Sequence, residues 1–265
     1  MSDPRPVGIF DSGIGGLTVV KAVLRAMPHE RVVYLGDTAR LPYGSKSPRT
    51  VLAYTQQNLR FLAGRDVKAI VIACNTASAI AIPEIERSTE APVLGVIGPG
   101  ARMACARSRT GRIGVLGTRA TIQSGAYERA IRTLRPGARV FGQPCPLFVP
   151  LAEEGMTRGS VARTVAASYL APVLAKGVDT LVLGCTHYPL LATTIRAVSG
   201  AAVRIVDSAT SVASALALLL AERGIARTSG KATLEVYLTD PNPQFARTGR
   251  RFLGRALGVV THVDL

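Results

Sequence analysis

The sequence predicts an α/β protein with two similar lobes, each built on a parallel sheet, and with the active site in the cleft between them. Short apolar runs rich in β-branched residues alternate with longer segments of helical periodicity. This alternation is typical of βα units, in which helices cover a parallel sheet. In addition, an apolar run ends in a cysteine and a short polar stretch once in each half of the chain.

The predicted strands follow one another at intervals that leave room for helices between most of them. They are 7–10, 32–35, 69–73, 93–97, 113–116, 139–141, 180–184 and 203–206, with 233–238 and 259–263 as possible later strands. Two amphipathic helices are predicted by spacing, one with Val51, Thr55, Leu59 and Leu62 on its apolar face and one with Val161, Val165 and Tyr169.

The repeat of an apolar strand that ends in a cysteine, once in each half of the chain, predicts the lobe boundaries. In the first half, strand 69–73 leads to Cys74, and in the second half strand 180–184 leads to Cys185. We expect residues 1–97 and 207–265 to form the first lobe, because the last strands should return to it. Residues 98–206 form the second lobe, and Gly98-Pro-Gly is the predicted crossover.

Composition restricts the class of protein. The 265 residues are 48% hydrophobic, enough for a sizeable core, and they contain no apolar run of roughly 18 residues that could span a membrane. The N-terminus lacks a secretory signal pattern, so we expect a soluble, cytoplasmic protein. The four cysteines include no C-x-x-C pair and there are only three histidines, which argues against structural zinc and against a disulfide framework.

Taken alone, the net charge of +15 indicates an acidic partner such as nucleic acid. However, the basic residues are mostly scattered and aromatic residues make up only 5%, so we favour the interpretation that the arginines are solvated surface residues. The one cluster consists of Arg247, Arg250, Arg251 and Arg255, which are predicted to share a helix face.

Ligands bind parallel α/β folds at the carboxyl ends of strands, and four polar motifs follow predicted strands there. The motifs are Phe10-Asp-Ser-Gly-Ile-Gly-Gly, Gly36-Asp-Thr with Pro42-Tyr-Gly, Cys74-Asn-Thr and Cys185-Thr-His. The glycine loop has two interpretations, an anion site made by backbone N–H groups or a tight turn that needs positive φ.

Cys74 and Cys185 each precede a predicted helix, whose N-terminus favours a thiolate and should lower the pKa of the thiol. A single cysteine is usually a buried hydrophobe, but two at matching positions of two lobes could act on one carbon from opposite faces. Stereo-inversion needs this arrangement, because one base removes the α-proton and another group delivers a proton from the far side.

Polar neighbours of the thiols could hold the substrate. The candidate donors are Asn75, Thr76 and Thr186 beside the cysteines, and Ser12 with backbone N–H groups near Gly44 for a carboxylate. Asp11, in the glycine-loop motif, and His187, just after Cys185, are predicted neighbours of the reacting groups, where either could assist proton transfer or orient an ammonium group.

Five motifs together resemble the glutamate racemase family, in order from about Val7 to Asp207. They are Phe10-Asp-Ser-Gly-Ile-Gly-Gly-Leu, Gly36-Asp-Thr-Ala-Arg-Leu-Pro-Tyr-Gly, Ala73-Cys-Asn-Thr-Ala-Ser-Ala, Cys145-Pro-Leu-Phe-Val-Pro-Leu and Gly184-Cys-Thr-His-Tyr-Pro-Leu. The resemblance implies two α/β lobes with the site between them. It also implies interconversion of L- and D-glutamate without a cofactor or metal, which supplies D-glutamate for bacterial peptidoglycan.

The resemblance also implies roles for single residues. Cys74 would act on D-glutamate and Cys185 on L-glutamate, assisted by Asp11, His187 and Glu153. The implied substrate-binding residues are Asp11, Ser12, Tyr43, Gly44, Asn75, Thr76, Thr186 and His187. Asp37 would lie behind these residues, Cys105 and Cys145 would be structural, and we expect a homodimer.

Three alternatives differ in their sequence signals. Aspartate racemases of the same superfamily usually carry Cys-Thr-Glu where this chain has Cys185-Thr186-His187. A binding role is the second alternative, because some glutamate racemases interact with DNA gyrase and this chain is strongly basic. A thiol redox protein is the third, and the absence of C-x-x-C argues against it.

Overall fold

The computed structural model describes residues 3–85, 89–241 and 243–265. Its strands are β1 Val7–Asp11, β2 Arg31–Gly36, β3 Ala69–Ile72, β4 Val93–Gly95, β5 Arg112–Gly117, β6 Arg139–Pro144, β7 Thr180–Gly184, β8 Arg204–Asp207, β9 Thr233–Leu238 and β10 Val260–His262. Its helices are α1 Leu17–Ala26, α2 Pro48–Ala63, α3 Asn75–Ile85, α4 Ile97–Arg107, α5 Arg119–Gln123, α6 Ala126–Leu134, α7 Phe148–Glu153, α8 Gly159–Leu174, α9 Ala192–Ser199, α10 Ser208–Glu222 and α11 Pro243–Leu253.

The strands form two sheets, and each strand pairing described is parallel. The six-stranded sheet has the order β10-β9-β2-β1-β3-β4 and the four-stranded sheet the order β6-β5-β7-β8. Strands β1 and β7 lie inside their sheets and bury all their residues, which requires helices on both faces. The predicted fold class, two parallel-sheet α/β units, is confirmed.

The crossover between the sheets differs from the prediction. Strand β4 ends at Gly95, and α4 already begins at Ile97, so Gly98-Pro-Gly lies in the first helical turn and is not a loop. Pro99 fits there because the first-turn N–H groups have no acceptor within the helix. Helix α4 therefore makes the connection from the first sheet to the second.

One of the two predicted helix faces is correct. Val51, Thr55, Leu59 and Leu62 are all buried on α2. On α8 the buried residues are Ala162, Ala166, Leu170 and Val173, whereas Val161 of the predicted face is exposed.

The C-terminal strands join the first sheet, because β9 pairs with β2 and β10 pairs with β9. The lobe boundaries at 97/98 and 206/207 stay a prediction. The arginine cluster does not share one helix face as predicted, because α11 ends at Leu253 and Arg255 follows Gly254, whose φ of +83° ends the helix. Across the described ranges, no helix has the length and apolar character to cross a membrane.

Candidate active site

The carboxyl ends of the two sheets meet, and polar side chains from one sheet contact those of the other. Thr76 at the start of α3 lies 3.0 Å from Thr118, which follows β5, measured between the Oγ1 atoms. Thr186, which follows β7, donates to Asp11 Oδ1 at the end of β1 over 3.5 Å. Because both pairs join one sheet to the other, the strand-end motifs of the two halves form one cluster.

Cys74 follows β3 and stands directly before α3, as predicted. The backbone N–H of Ala77 donates to its Sγ over 3.5 Å, and its thiol donates to Ser12 Oγ over 3.4 Å. The pKa of Cys74 is nevertheless raised to about 12, mainly by burial and also by the charge of Asp11, which outweigh the contacts with Ser12 and Ala77. The N–H of Ala77 at the start of α3 lowers the pKa as predicted, but the predicted net lowering is wrong because burial outweighs it, and Cys74 holds its proton at neutral pH.

Cys185 follows β7 and has a different neighbour. Its Sγ lies 3.8 Å from Nδ1 of His187, and Nε2 of that imidazole lies 3.0 Å from Oε1 of Glu153. The residues that follow form a 3₁₀ turn at Tyr188–Leu191, where we predicted a regular helix. Glu153 at the end of α7 is thus brought next to His187 by the fold.

Burial alone would lower the pKa of His187, but its hydrogen bonds with Cys185 and Glu153 outweigh burial and raise the pKa to about 10. The imidazole is therefore protonated at neutral pH, so both ring nitrogens are donors. This places a positive charge beside Cys185 Sγ.

Asp11 connects the two thiol sites. Its fully buried carboxylate accepts from the Gly13 backbone N–H over 3.1 Å and from Thr186 over 3.5 Å. Burial raises the pKa of Asp11, although the charge of His187 and the hydrogen bonds partly oppose it. A negative charge on Cys185 in turn raises the pKa of Cys74, so the two thiols lie within electrostatic reach of each other.

The glycine loop is required for close approach and not for unusual dihedrals. Gly13, Gly15 and Gly16 do not have positive φ. A Cβ on Gly15 would overlap Thr186 Oγ1 and His187 Nδ1, and a Cβ on Gly16 would overlap Asp11. The positive-φ interpretation is therefore wrong, and the anion-site interpretation stays a prediction.

Tyr43 and Gly44 lie in a 3₁₀ turn between β2 and α2. The hydroxyl of buried Tyr43 donates to Asp37, whose buried carboxylate also accepts from Arg40 Nε over 2.8 Å. A Cβ on Gly44 would lie 2.9 Å from Cβ of Thr118, so this turn packs against the second sheet.

Four residues that contact the predicted site residues were not predicted from the sequence: Thr118, Thr121, Tyr127 and Ser208. Asn75 donates to Ser208 Oγ over 3.2 Å, and its Oδ1 accepts from the hydroxyl of Tyr127 over 2.7 Å. Thr76 contacts both Thr118 and Thr121. Thr118 and Ser208 directly follow β5 and β8, so their position at strand ends was an available signal. Tyr127 comes from α6, where no pattern marked it.

A cavity of about 270 Å³ lies beside Glu153. Its lining combines the glycine loop, the turn after β2, the end of α7 and the start of α11: Ile14, Thr38, Leu41, Glu153, Glu154, Gln244, Phe245 and Thr248.

The other two cysteines make hydrogen bonds to backbone carbonyls. Cys145 is buried and its thiol donates to Gln143 O, and Cys105 donates to Ile131 O. Among the described residues no three His, Cys, Asp or Glu side chains cluster as metal ligands.

Residues 16–216 match the family described as Asp/Glu/Hydantoin racemase. A glutamate racemase of Geobacter metallireducens is 49% identical over 262 residues, which span 98% of this chain and 97% of that protein. This chain belongs to the glutamate racemase family. The family predicted from the five motifs is confirmed, and the enzyme is an amino-acid racemase, an isomerase.

Solved glutamate racemases share the fold over the whole chain. Isoform RacE1 from Bacillus anthracis superposes with a TM-score of 0.95 at 36% identity, covering 98% of both chains. The glutamate racemase of Francisella tularensis, solved in complex with D-glutamate, gives a TM-score of 0.93 at 38% identity, covering 99% of this chain and 98% of that one.

Proposed function

We propose that this glutamate racemase inverts the α-carbon of glutamate with two cysteine bases and no cofactor. The observation that carries the proposal is the unequal setting of the two thiols. Cys74 is kept protonated by burial and by Asp11, whereas Cys185 lies 3.8 Å from a protonated His187. The proposal assigns Cys74 as the proton donor and Cys185 as the proton acceptor when L-glutamate is the substrate.

In the L-to-D direction the Cys185 thiolate removes the α-proton of L-glutamate, and the electron pair stays on the α-carbon. The Cys74 thiol then delivers its proton to the opposite face, which yields D-glutamate, a Cys74 thiolate and a Cys185 thiol. The reverse direction begins from that second form of the enzyme. His187 and Glu153 stabilise the charge changes at Cys185, and Asp11 assists at Cys74.

The remaining strand-end residues are proposed to hold the substrate. Ser12, Asn75, Thr76 and Thr186 present donors for the two carboxylates, together with the N-terminus of α3. Tyr43 and Gly44 complete this set. Fixed donors at the α-carboxylate also stabilise the carbanion-like charge, which a thiolate alone is too weak a base to generate readily.

The decisive experiment incubates the purified protein with D-glutamate in D₂O, without added pyridoxal phosphate, and follows circular dichroism and α-deuteration. We expect loss of optical rotation with one deuterium incorporated at the α-carbon. Cys74→Ala and Cys185→Ala should each lower turnover by about 10³-fold or more, because each removes one of the two proton-transfer groups.

Cys105→Ala is the matched control, because its thiol lies on α4 outside the cluster, where it donates to Ile131 O and packs against the apolar core. It should racemise glutamate like the wild type. Near-normal turnover in both directions by either active-site variant contradicts the two-base scheme.

We also propose that the enzyme supplies D-glutamate for peptidoglycan and works as a homodimer in the bacterial cytoplasm. Rescue of a D-glutamate auxotroph tests the supply of D-glutamate, and light scattering of the purified protein tests the homodimer. An interaction with nucleic acid or gyrase stays a second candidate role, resting on the charge of +15. Salt-dependent retention on DNA that is lost when Arg247, Arg250, Arg251 and Arg255 are neutralised supports it.

A further inference from the structure

The last turn of α11 reaches the site from outside the strand-end motifs. The helix packs closely on α1, since a Cβ on Gly249 would lie 3.2 Å from Leu17 Cδ1 and 2.6 Å from Leu257 Cδ1. At its end Phe252 is 1% exposed, and its ring centroid lies 5.2 Å from that of His187 at an interplanar angle of 79°. The wall on one side of the imidazole is therefore an aromatic ring.

Arg251, the residue before Phe252, contacts Glu153, the hydrogen-bond partner of His187. Arg251 Nη1 donates to the backbone carbonyl of Glu153 over 2.8 Å. The same guanidinium lies against Gly155, where a Cβ would be 2.8 Å from Nη1, and the φ of +75° already favours glycine. Two consecutive residues of α11 thus contact His187 and the end of α7 that carries Glu153.

We propose that Phe252 and Arg251 are positioning residues for the Cys185 half of the reaction. Phe252 fixes the plane of the His187 ring and keeps water from it, and Arg251 fixes the end of α7 so that Glu153 stays 3.0 Å from Nε2. The edge-to-face contact prefers one ring orientation, and exclusion of water strengthens the hydrogen bonds of the imidazole. This inference rests on the proposed two-base function.

Phe252→Leu and Arg251→Gln test it through deuterium isotope effects. Both should lower kcat about 10-fold to 100-fold with little change in KM, because a small misplacement of a positioned group has effects of that size. Proton transfer at Cys185 then limits the rate in both directions. The isotope effect with α-deuterated L-glutamate should rise, because Cys185 removes that deuterium. The effect with α-deuterated D-glutamate should fall toward unity, because Cys74 removes that deuterium in a step that no longer limits the rate.

Two controls separate positioning from general damage. Leu253→Val trims a neighbouring buried side chain of the same segment, and Arg250→Gln removes the same charge one residue earlier, where no contact with α7 is described. Both should keep the isotope effects of the wild type. A merely structural role lowers the amount of active enzyme and leaves both isotope effects unchanged, so that result for Phe252→Leu and Arg251→Gln overturns the proposal.

A measurement on the resting enzyme keeps the test independent of turnover. His187 is buried while His29 and His262 are exposed, so its Nε2 proton can be assigned by ¹⁵N-resolved NMR. We expect exchange of that proton with solvent to be at least about tenfold faster in Phe252→Leu and Arg251→Gln than in the controls. Unchanged exchange contradicts the positioning role, whereas fast exchange with no racemisation by the wild type contradicts only the proposed function.

Discussion

Cys74 and Cys185 stand at equivalent strand ends, yet their neighbours give them different settings. Burial and, to a smaller extent, the carboxylate of Asp11 raise the pKa of the Cys74 thiol to about 12. Cys185 instead lies beside a protonated His187. The neighbours therefore give two cysteines at matching positions different electrostatic surroundings.

Glu153→Gln should lower the pKa of His187, because the hydrogen bond and the charge of Glu153 both raise it. An NMR titration of His187 measures the shift. With the imidazolium less stabilised, we expect turnover to fall by about 10²-fold, in the range typical of assisting acid–base groups. Glu154→Gln removes the same charge one residue away, and an equal loss in that variant contradicts a specific role for Glu153.

Gly15→Ala should inactivate the enzyme, because the new Cβ would overlap Thr186 Oγ1 and His187 Nδ1. We expect a loss of stability of about 1–3 kcal/mol from overpacking, together with a larger loss of turnover. Gly137→Ala is the control, since a Cβ there meets nothing within 4 Å. Denaturant unfolding and racemisation assays measure both effects, and wild-type activity in Gly15→Ala contradicts the close approach.

The sequence predicted which motifs meet, because every motif followed a strand of a parallel sheet and such ends share an edge. It could not predict the pKa of Cys74, since helix position favours the thiolate locally while burial, a tertiary property, opposes it more strongly. Phe252 was missed for a related reason. Its contact with His187 depends on how α11 packs on α1, and no local pattern marks a residue for a partner 65 positions earlier in the chain.

At the scale of elements, helix faces are predictable when large apolar side chains mark them. On α2 the buried face carries Val51, Leu59 and Leu62, and spacing identified it. On α8 the buried face begins with Ala162 and Ala166, whose small side chains give a weak apolar signal, so the exposed Val161 misled the prediction.

The turn between α4 and β5 is held by one carboxylate from the residue before β7. Asp179 accepts from Ser108 Oγ over 2.6 Å and from the backbone N–H groups of Arg109 and Thr110, each over 2.7 Å. Burial raises the pKa of Asp179, but these hydrogen bonds outweigh burial and lower it to about 2. The carboxylate therefore stabilises the fold in its charged form.

Asp179→Asn should lower Tm at neutral pH by a few degrees, because the amide cannot replace the charged acceptor. The folded pKa lies below the ordinary value of 3.8, so the stabilisation is present above pH 3.8 and is lost as the pH falls to about 2. The difference in Tm from the wild type should follow that course. Asp264→Asn, with a side chain 97% exposed, is the control, and a pH-independent difference contradicts the linkage.

At the scale of the whole molecule, the chain leaves the first sheet through α4 and returns after α10 to add β9 and β10. The returning segment is fixed by a buried ion pair in which Lys68 Nζ lies 2.7 Å from Glu30 Oε2. Lys68 also donates to Ile225 O over 2.8 Å, and Glu30 accepts from the backbone N–H of Arg227 over 2.7 Å. The pair thus holds the segment between α10 and β9 against the residues that precede β2 and β3.

Lys68→Met should destabilise the protein by about 3–5 kcal/mol, because it leaves Glu30 buried without its countercharge. Adding Glu30→Leu removes the unpaired charge and should restore part of that loss. Restoration is incomplete, since Ile225 O and the Arg227 N–H lose the partners that hold the returning segment. Urea unfolding of the single and double variants measures the coupling, and Lys176→Met, at an exposed site, should stay within about 0.5 kcal/mol of the wild type. Additive effects of the two substitutions contradict a coupled pair.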